Sequence, residues 1–329
     1  LVARCEEGPK STRVKQKLST FCGVPEAGIA LLPNAKSVYQ VPLTLDEQGI
    51  GDYVVQKLGL KHKRSNMKQW RDMVDTIMEK PNRKVKVGLI AKYLDNEDTY
   101  ICVIEALKSA CWHSKLGLEY VWIDAEKCES MTESQLARTF SKVDGVIVPG
   151  GFGERALNGK IKSAQYALKH KIPYLGLCLG LQMAVVAAAR NAGVKDATTT
   201  ELDPNSDFQV VSTMDSQKGL ENTGGTMRLG NYPCELEKGS ISAKYYKSKT
   251  IIGRHRHRYE CNNDYRDSYE QWGIKAVGLS PDKNLVEVIE GIDHPFFVAS
   301  QFHPEFNSRP NKPQPLFKGF VESLLAKKS

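Results

Sequence analysis

Three short stretches of this 329-residue chain carry residue types and spacings suited to covalent chemistry. In "LGLCLGLQ", residues 175–182, Cys178 stands between Gly176 and Gly180 where an apolar run changes its period. Before it "KIPYLGL" reads as a buried strand, and after it "LQMAVVAAARNAG" reads as an Ala-rich helix closed by glycine. Gly-x-Cys-x-Gly at such a corner is the thiol version of the nucleophile elbow. A sharp turn lifts the side chain clear of the sheet, and the glycines leave room for neighbouring strands and a substrate. The helix then aims its free N–H groups and positive end at the sulfur, which favours thiolate. The alternative is a structural cysteine packed between two small residues.

A partner for the thiol occurs in "ASQFHPEF", residues 299–306. His303 and Glu305 are two apart, so in extended backbone both project to one side. The carboxylate can then accept one imidazole N–H and orient the ring, leaving the other nitrogen to serve a thiol. Alone, the segment reads equally as a solvated strand end closed by a proline turn. Beside an elbow it completes the residue set that thiol catalysis needs, in the chain order Cys, His, Glu. The third stretch is "VPGGFGER", residues 148–155, in which Gly150, Gly151 and Gly153 free the backbone to turn N–H groups into a pocket, as an oxyanion hole requires. A plain glycine turn is the alternative. It is not a dinucleotide fingerprint, and the nearby "GERALNGKI" has neither the spacing nor the Ser/Thr of a phosphate loop. In "RHRHRYE", residues 254–260, two histidines without Cys or a third ligand make a poor metal site. Strand alternation there predicts His255, His257 and Tyr259 on one face and Arg254, Arg256 and Arg258 on the other, a face suited to carboxylate or phosphate.

The elements that must position these residues follow from patterning. From Val85, "VKVGLIA", "LEYVWID", "VDGVIVPG" and "IPYLGL" read as strands alternating with helices near "TYICVIEALKSACWH", "TESQLARTF", "ALNGKIKSAQYALKH" and the run after Cys178. That alternation predicts an α/β fold with a mostly parallel sheet covered by helices, and ligands at the carboxyl ends of its strands. Both "PGGFG" and Cys178 fall at such ends. After about residue 205 the segments "FQVVST", "GGTMRLG", "HRHRYEC", "IKAVGLS", "LVEVIEG" and "FFVASQFH" are β-type, which predicts additional antiparallel strands in the C-terminal half before a last helix near "PLFKGFVESLLAKK". Residues 1–60 hold too little chain for a good core, residues 61–83 read as a charged linker containing one helix, and residues 84–329 form the main domain.

Composition narrows the classes. With 41% apolar and 26% charged residues the chain is globular rather than disordered. No apolar run reaches membrane-spanning length and no signal-peptide pattern opens the chain. It begins "LVAR", in mid-strand as it were, so a longer parent polypeptide is expected. The net charge of +8 comes from clusters without interleaved aromatics, which argues against nucleic acid and suits anionic small molecules. Eight cysteines with no CxxC pair suggest neither zinc nor a redox dithiol, and fit a reducing, cytoplasmic compartment.

Together "PGGFG", "LGLCLGLQ" and "QFHPEF", in that order, resemble the class I glutamine amidotransferases. Within them the chain is similar to the CTP synthase family, through "GGTMRLG" at 224–230, "RHRHRYE" at 254–260 and "TTTEL" around Glu201. The resemblance runs from about Val85 to the end, while residues 1–60 look like the last part of that family's ATP-dependent synthetase domain. It implies a class I glutaminase-type fold in which Cys178 attacks the side-chain amide of L-glutamine to give a thioester. It implies His303 as general acid and base, Glu305 as its orienter, and the Gly151 and Leu179 N–H groups as the oxyanion hole. Glutamine would be held by Gly151, Leu179, Gly180, Leu181, Gln182, Glu201 and Arg258, with no metal and no cofactor in this domain. In a full-length parent, ammonia would reach a phosphorylated UTP intermediate, with ATP and Mg as cofactors, GTP as activator and a homotetrameric assembly. Lys17 matches a position near the pyrimidine nucleotide. This chain by itself is not expected to make CTP. Arg155 and Arg228 are candidate points of effector action. Leu181 stands where the family usually has Met, a change in a turn that acts mainly through its backbone. The competing readings are another triad amidotransferase or γ-glutamyl hydrolase, and a catalytically idle assembly module. "GGTMRLG" with "RHRHRYE" argues against the first, and the presence of Cys178, His303 and Glu305 against the second.

Overall fold

The computed structural model describes residues 1–8, 13–61, 65–214 and 227–325. Residues 224–226 of "GGTMRLG" and the terminal "AKKS" lie outside the described residues. The chain divides into two compact units, Leu1–Pro81 and Asn82–Ser329.

In the first unit, strand β1 (Val2–Cys5) runs parallel to β2 (Ala30–Pro33), with Val2 opposite Ala30 and Cys5 opposite Pro33. Helices α1 (Arg13–Cys22), α2 (Val41–Glu47), α3 (Ile50–Lys57) and α4 (Lys68–Met78) complete it. Helix α4 arises from the stretch expected as linker. Its Met73 and Val74 bury against Leu43 of α2, and the Trp70 indole N–H donates to the Tyr39 carbonyl at 2.8 Å.

The second unit starts with β3 (Lys84–Ala91), α5 (Ile101–His113), β4 (Gly117–Asp124), α6 (Ala125–Ser130), α7 (Glu133–Phe140), β5 (Gly145–Val148), α8 (Leu157–Lys169), β6 (Tyr174–Leu177) and α9 (Leu179–Asn191). It continues with β7 (Thr198–Thr199), β8 (Gln209–Thr213), β9 (Arg228–Leu236), α10 (Ile241–Tyr246), β10 (Thr250–His257), β11 (Tyr259–Cys261), β12 (Ile274–Leu279), β13 (Val286–Gly291), β14 (Phe297–Ser300) and α11 (Pro315–Ser323). Nine of these strands form one sheet in the order β10-β9-β12-β13-β14-β6-β5-β3-β4. From β14 to β4 the strands are parallel, and from β13 outward to β10 they are antiparallel.

Burial explains this arrangement. Strands such as β5 and β6 are buried on both faces, as the continuous apolar runs require. Val146 and Val148 of β5 point into the core that Ile161 and Ala164 of α8 and Val185 of α9 fill. Ile147 points the other way, to Leu107 of α5 and Phe317 and Phe320 of α11. Side chains cap the starts of α6, α7, α10 and α11, where N–H groups have no helical acceptor. Thr132 and Gln135 form a capping box on α7, and the Gln314 side chain accepts from the Leu316 and Phe317 N–H groups of α11.

Two details depart from the sequence expectations. Strand β14, from "FFVASQFH", is not an antiparallel addition. It runs parallel to β6, Ala299 opposite Gly176 and Ser300 opposite Leu177, so "QFHPEF" emerges beside Cys178. Strand β10 ends at His257, and "YEC" continues as β11 in a second sheet with β8 and β7. The alternation therefore holds for exposed Arg254 and Arg256 and buried His255 and His257, but Arg258 sits at the break between sheets and is half-buried. Among the described residues no helix is long and apolar enough to cross a membrane.

Candidate active site

Three adjacent parallel strands, β5, β6 and β14, end at the same edge of the sheet. Their carboxyl ends deliver the glycine loop, Cys178 and the Gln301–Glu305 turn to one place. Cys178 is the corner itself, with φ 53° and ψ −100°, a region that costs a non-glycine residue about 1–3 kcal/mol. The surroundings enforce it. The Cys178 N–H donates to the Ser300 carbonyl at 2.7 Å, and the buried Tyr174 hydroxyl donates to the Gly180 carbonyl at 2.7 Å. Gly180 has to be glycine because a Cβ there would lie 2.2 Å from the Val148 carbonyl oxygen. The elbow is thus wedged against β5 and cannot relax.

His303 is nearly buried, its N–H donating to the Arg254 carbonyl at 2.7 Å. Its Nδ1 lies 2.7 Å from Glu305 Oε1, and its ring stacks on Phe306 with centroids 4.9 Å apart. The other ring nitrogen, Nε2, is buried. Burial alone would lower the imidazole pKa. The Cys178 sulfur and Glu305 outweigh it and raise the value to about 11. The ring is therefore held as imidazolium between the Cys178 sulfur and Glu305. Gly150 closes the third side, where a Cβ would stand 2.8 Å from His303 Cε1 and 3.6 Å from Cys178 Cβ.

The glycine loop is tied from below by two buried lysines. Lys92 Nζ donates to the carbonyls of Phe152, Gly153 and Arg155, the last two at 3.0 and 3.3 Å. Lys160 Nζ donates to the Pro149 carbonyl at 3.0 Å, and burial, with the nearby Lys92 charge, lowers its pKa to about 7. From the opposite side Glu201 Oε1 accepts the Gly153 N–H at 2.7 Å. Burial raises the Glu201 pKa, and the Gly153 N–H, Lys92 and Arg258 oppose that rise. A Cβ on Gly151 would lie 3.5 Å from Leu179 Cδ2, so Gly151 packs beside the Leu179 side chain.

The structure thus brings Cys178, His303, Glu305, Gly151, Leu179, Gly180, Leu181, Gln182, Glu201 and Arg258 to one end of the second unit. Lys17 is an exposed residue of α1 in the first unit. Arg155 is half-exposed and pairs with Glu126 at 2.6 Å. Arg228, the other candidate point of effector action, lies in a largely buried pair with Glu287 at 2.8 Å. His255 and His257 are spent on that pair and on each other, with His255 Nδ1 3.0 Å from His257 Nε2. Burial, helped by the Arg228 charge, keeps both rings neutral, at about 2 and about 3.

Sequence reasoning missed Gln301 and Lys92. Gln301 is fully buried, with Nε2 3.6 Å from Cys178 Sγ, and the thiol also faces the Arg256 carbonyl at 3.8 Å. The available signal was a polar side chain directly after the apolar "FFVAS", and for Lys92 a cation ending the apolar strand "VGLIA".

An elbow thiol, a carboxylate-paired histidine and a glycine loop on three neighbouring strand ends form a cysteine amidotransferase constellation. Residues 94–323 match the family described as glutamine amidotransferase class-I. The chain belongs to this family. Residues 1–60 match the family described as CTP synthase N-terminus. CTP synthase of Caldanaerobacter subterraneus subsp. tengcongensis is 46% identical over 97% of this chain and 59% of its own length. CTP synthase of Bacillus subtilis is 42% identical over 96% of this chain and 58% of its own. The chain therefore spans about three fifths of the curated relatives it matches. The solved glutaminase domain of Trypanosoma brucei CTPS, with bound acivicin, superposes with a TM-score of 0.69 at 35% identity, over 75% of this chain and 95% of that one. The amidotransferase fold, with its parallel half-sheet and antiparallel extension, is common to both.

Proposed function

We propose that this amidotransferase hydrolyses L-glutamine at Cys178 and serves as the glutaminase portion of a CTP synthase, feeding ammonia to ATP-dependent amination of UTP. The observation that carries the reading is the contact set of His303, whose ring lies between Glu305 on Nδ1 and the Cys178 sulfur. The Cys178 thiolate adds to the glutamine amide carbon, and the carbonyl electron pair moves to oxygen. The N–H groups of Gly151 and Leu179 hold that oxyanion, Leu179 being at the head of α9 where N–H groups have no helical acceptor. Collapse breaks the C–N bond, and His303, already an imidazolium, gives its proton to the departing ammonia. Neutral His303 then takes a proton from water, the resulting hydroxide attacks the thioester, and glutamate leaves as the thiolate re-forms. Glu305 holds the ring in one orientation throughout, and in one tautomer while it is neutral. Glu201 and Arg258 suit the substrate's α-ammonium and α-carboxylate, with Gly180, Leu181 and Gln182 forming the turn beneath.

In the same reading residues 1–60 are the end of a synthetase domain, 61–83 the connection and 84–329 the glutaminase domain. UTP, ATP with Mg, activation by GTP, a contact from Lys17 to pyrimidine nucleotide, a homotetramer and a cytoplasmic setting are proposals for the whole synthase. The test is ammonia release from L-glutamine by this chain and by Cys178→Ala, with and without GTP. Turnover lost in the variant is expected, and unchanged turnover would overturn the reading. A GTP response would assign activation to the residues present here.

A further inference from the structure

Gln301 is buried against the sulfur, and what it does there depends on which end of its amide faces Cys178. An amide can be placed either way round, so the network has to decide. It does so from a group that can only accept. Gln182 Nε2 lies 2.9 Å from the Tyr259 backbone carbonyl, which fixes that end of Gln182 as its NH2. The same NH2 lies 3.3 Å from Gln301, so the Gln301 atom facing it is the oxygen, Oε1. The opposite end of Gln301, the one 3.6 Å from Cys178 Sγ, is therefore its NH2. The backbone is held as well, since the Gln301 N–H donates to the Glu287 carbonyl at 2.8 Å.

The sulfur consequently has two contacts that favour opposite protonation states. The Arg256 carbonyl at 3.8 Å can accept from a thiol and repels a thiolate. A donor N–H does the reverse, and hydrogen bonds to ionised groups are the strong ones. We propose that Gln301 is a further catalytic residue of this site: its side-chain N–H holds negative charge on the Cys178 sulfur, and Gln182 keeps the amide turned to do so. The proposal rests on the reading of Cys178 as the nucleophile. It supplies a role in both half-reactions. In the first, the N–H stabilises the attacking thiolate. In the second, when the thioester's tetrahedral adduct collapses, the C–S bond breaks with its electron pair going to sulfur, and the same N–H receives that charge. Gln182 is thereby a positioning residue for the thiol in addition to lining the substrate turn.

The titratable groups facing the sulfur are His303 with Glu305 behind it, after β14, and Lys160 on α8, which itself loses its charge as pH rises above about 7. All three remain in the variants that test the proposal. The measurement is the rate of iodoacetamide alkylation of Cys178, followed by peptide-resolved mass spectrometry, near pH 7 and near pH 9.5. The proteins are the full chain, Gln301→Met, Gln301→Glu and Gln182→Met. Met keeps the length of Gln without a donor. Gln301→Met should lower the ratio of the near-neutral rate to the alkaline rate about tenfold. Gln301→Glu should lower it further by adding charge beside the sulfur, and Gln182→Met should lower it by less, having only released the amide. A role in shape alone would change alkylation equally at both pH values, and an unchanged ratio in the Gln301 variants overturns the proposal. If Gln301→Met does not fold, the ratio in Gln182→Met decides in the same way. Ammonia release by the wild-type chain separates the two ideas. Turnover lost in Cys178→Ala with an unchanged ratio sinks only the role of Gln301, whereas no turnover and no labelling of Cys178 sinks both.

Discussion

At the residue scale the site is a balance of charges held inside a wedge. His303 stays protonated because the sulfur and Glu305 overcome the burial that would neutralise it. Glu305→Gln removes one of those supports, and the sign of its pH effect follows. A histidine whose folded pKa is raised stabilises the protein fully below its unfolded value near 6.5, and loses that contribution as pH climbs toward about 11. The melting-temperature gap between wild type and Glu305→Gln should therefore be widest near pH 6, corresponding to about 1–3 kcal/mol, and close as pH rises toward 10. A gap that widens with pH would contradict the pairing. Glutaminase turnover in the same variant should fall about 10²–10⁴-fold, as when other triads lose the carboxylate that orients the base. Gly150→Ala tests the wedge. The new Cβ would stand 2.8 Å from His303 Cε1, so the ring must move. Activity should drop at least about 100-fold with a melting temperature close to wild type, because misplacement of about 1 Å is enough for that loss.

At the scale of elements, the loop 149–155 is tied by a lysine that belongs to another strand end. Lys92, immediately after β3, ties three loop carbonyls that would otherwise point at solvent or at one another. Lys92→Met should leave the core intact and free the loop. The expected outcome is faster amide hydrogen exchange at residues 152–155, a glutamine KM raised about tenfold and little change in melting temperature; unchanged exchange would place the loop's order elsewhere. This contact also marks the limit of what the chain order reveals. Strand–helix alternation from Val85 to Cys178 was legible because parallel strands buried on both faces write continuous apolar runs. Cys178, His303 and Glu305 were legible because their residue types and spacing are themselves chemical. The parallel placement of β14 beside β6 was not, since "FFVAS" is equally suited to either direction and only its pairing partner decides. Lys92 and Gln301 were hidden for a related reason. Each is a single polar residue at a strand end, and its role depends on a loop or side chain some 60 or more residues away.

At the scale of the whole molecule the two units differ in how much apolar surface each encloses. The second has a core on both faces of its long sheet, from Val146, Ile161 and Val185 on one side to Leu107, Phe317 and Phe320 on the other. The first unit, residues 1–81, gathers Leu43, Met73 and Val74 into a small cluster, besides the buried Ile29 and the Ala30 and Leu31 of strand β2. Chains of this size bury only about 60% of the surface their unfolded state exposes, so the first unit should be the less stable. Calorimetry of the chain is expected to resolve two transitions, the smaller at lower temperature. Met73→Ala deletes a buried side chain of that small cluster and should destabilise its unit by about 2–5 kcal/mol. The first transition should shift down or vanish from the scan. Thermal inactivation of glutamine hydrolysis should keep its wild-type midpoint, because every residue assigned to the reaction lies in the second unit. If inactivation moves down together with the Met73→Ala transition, the two units unfold as one, and the glutaminase draws its stability from the segment that resembles the end of a synthetase.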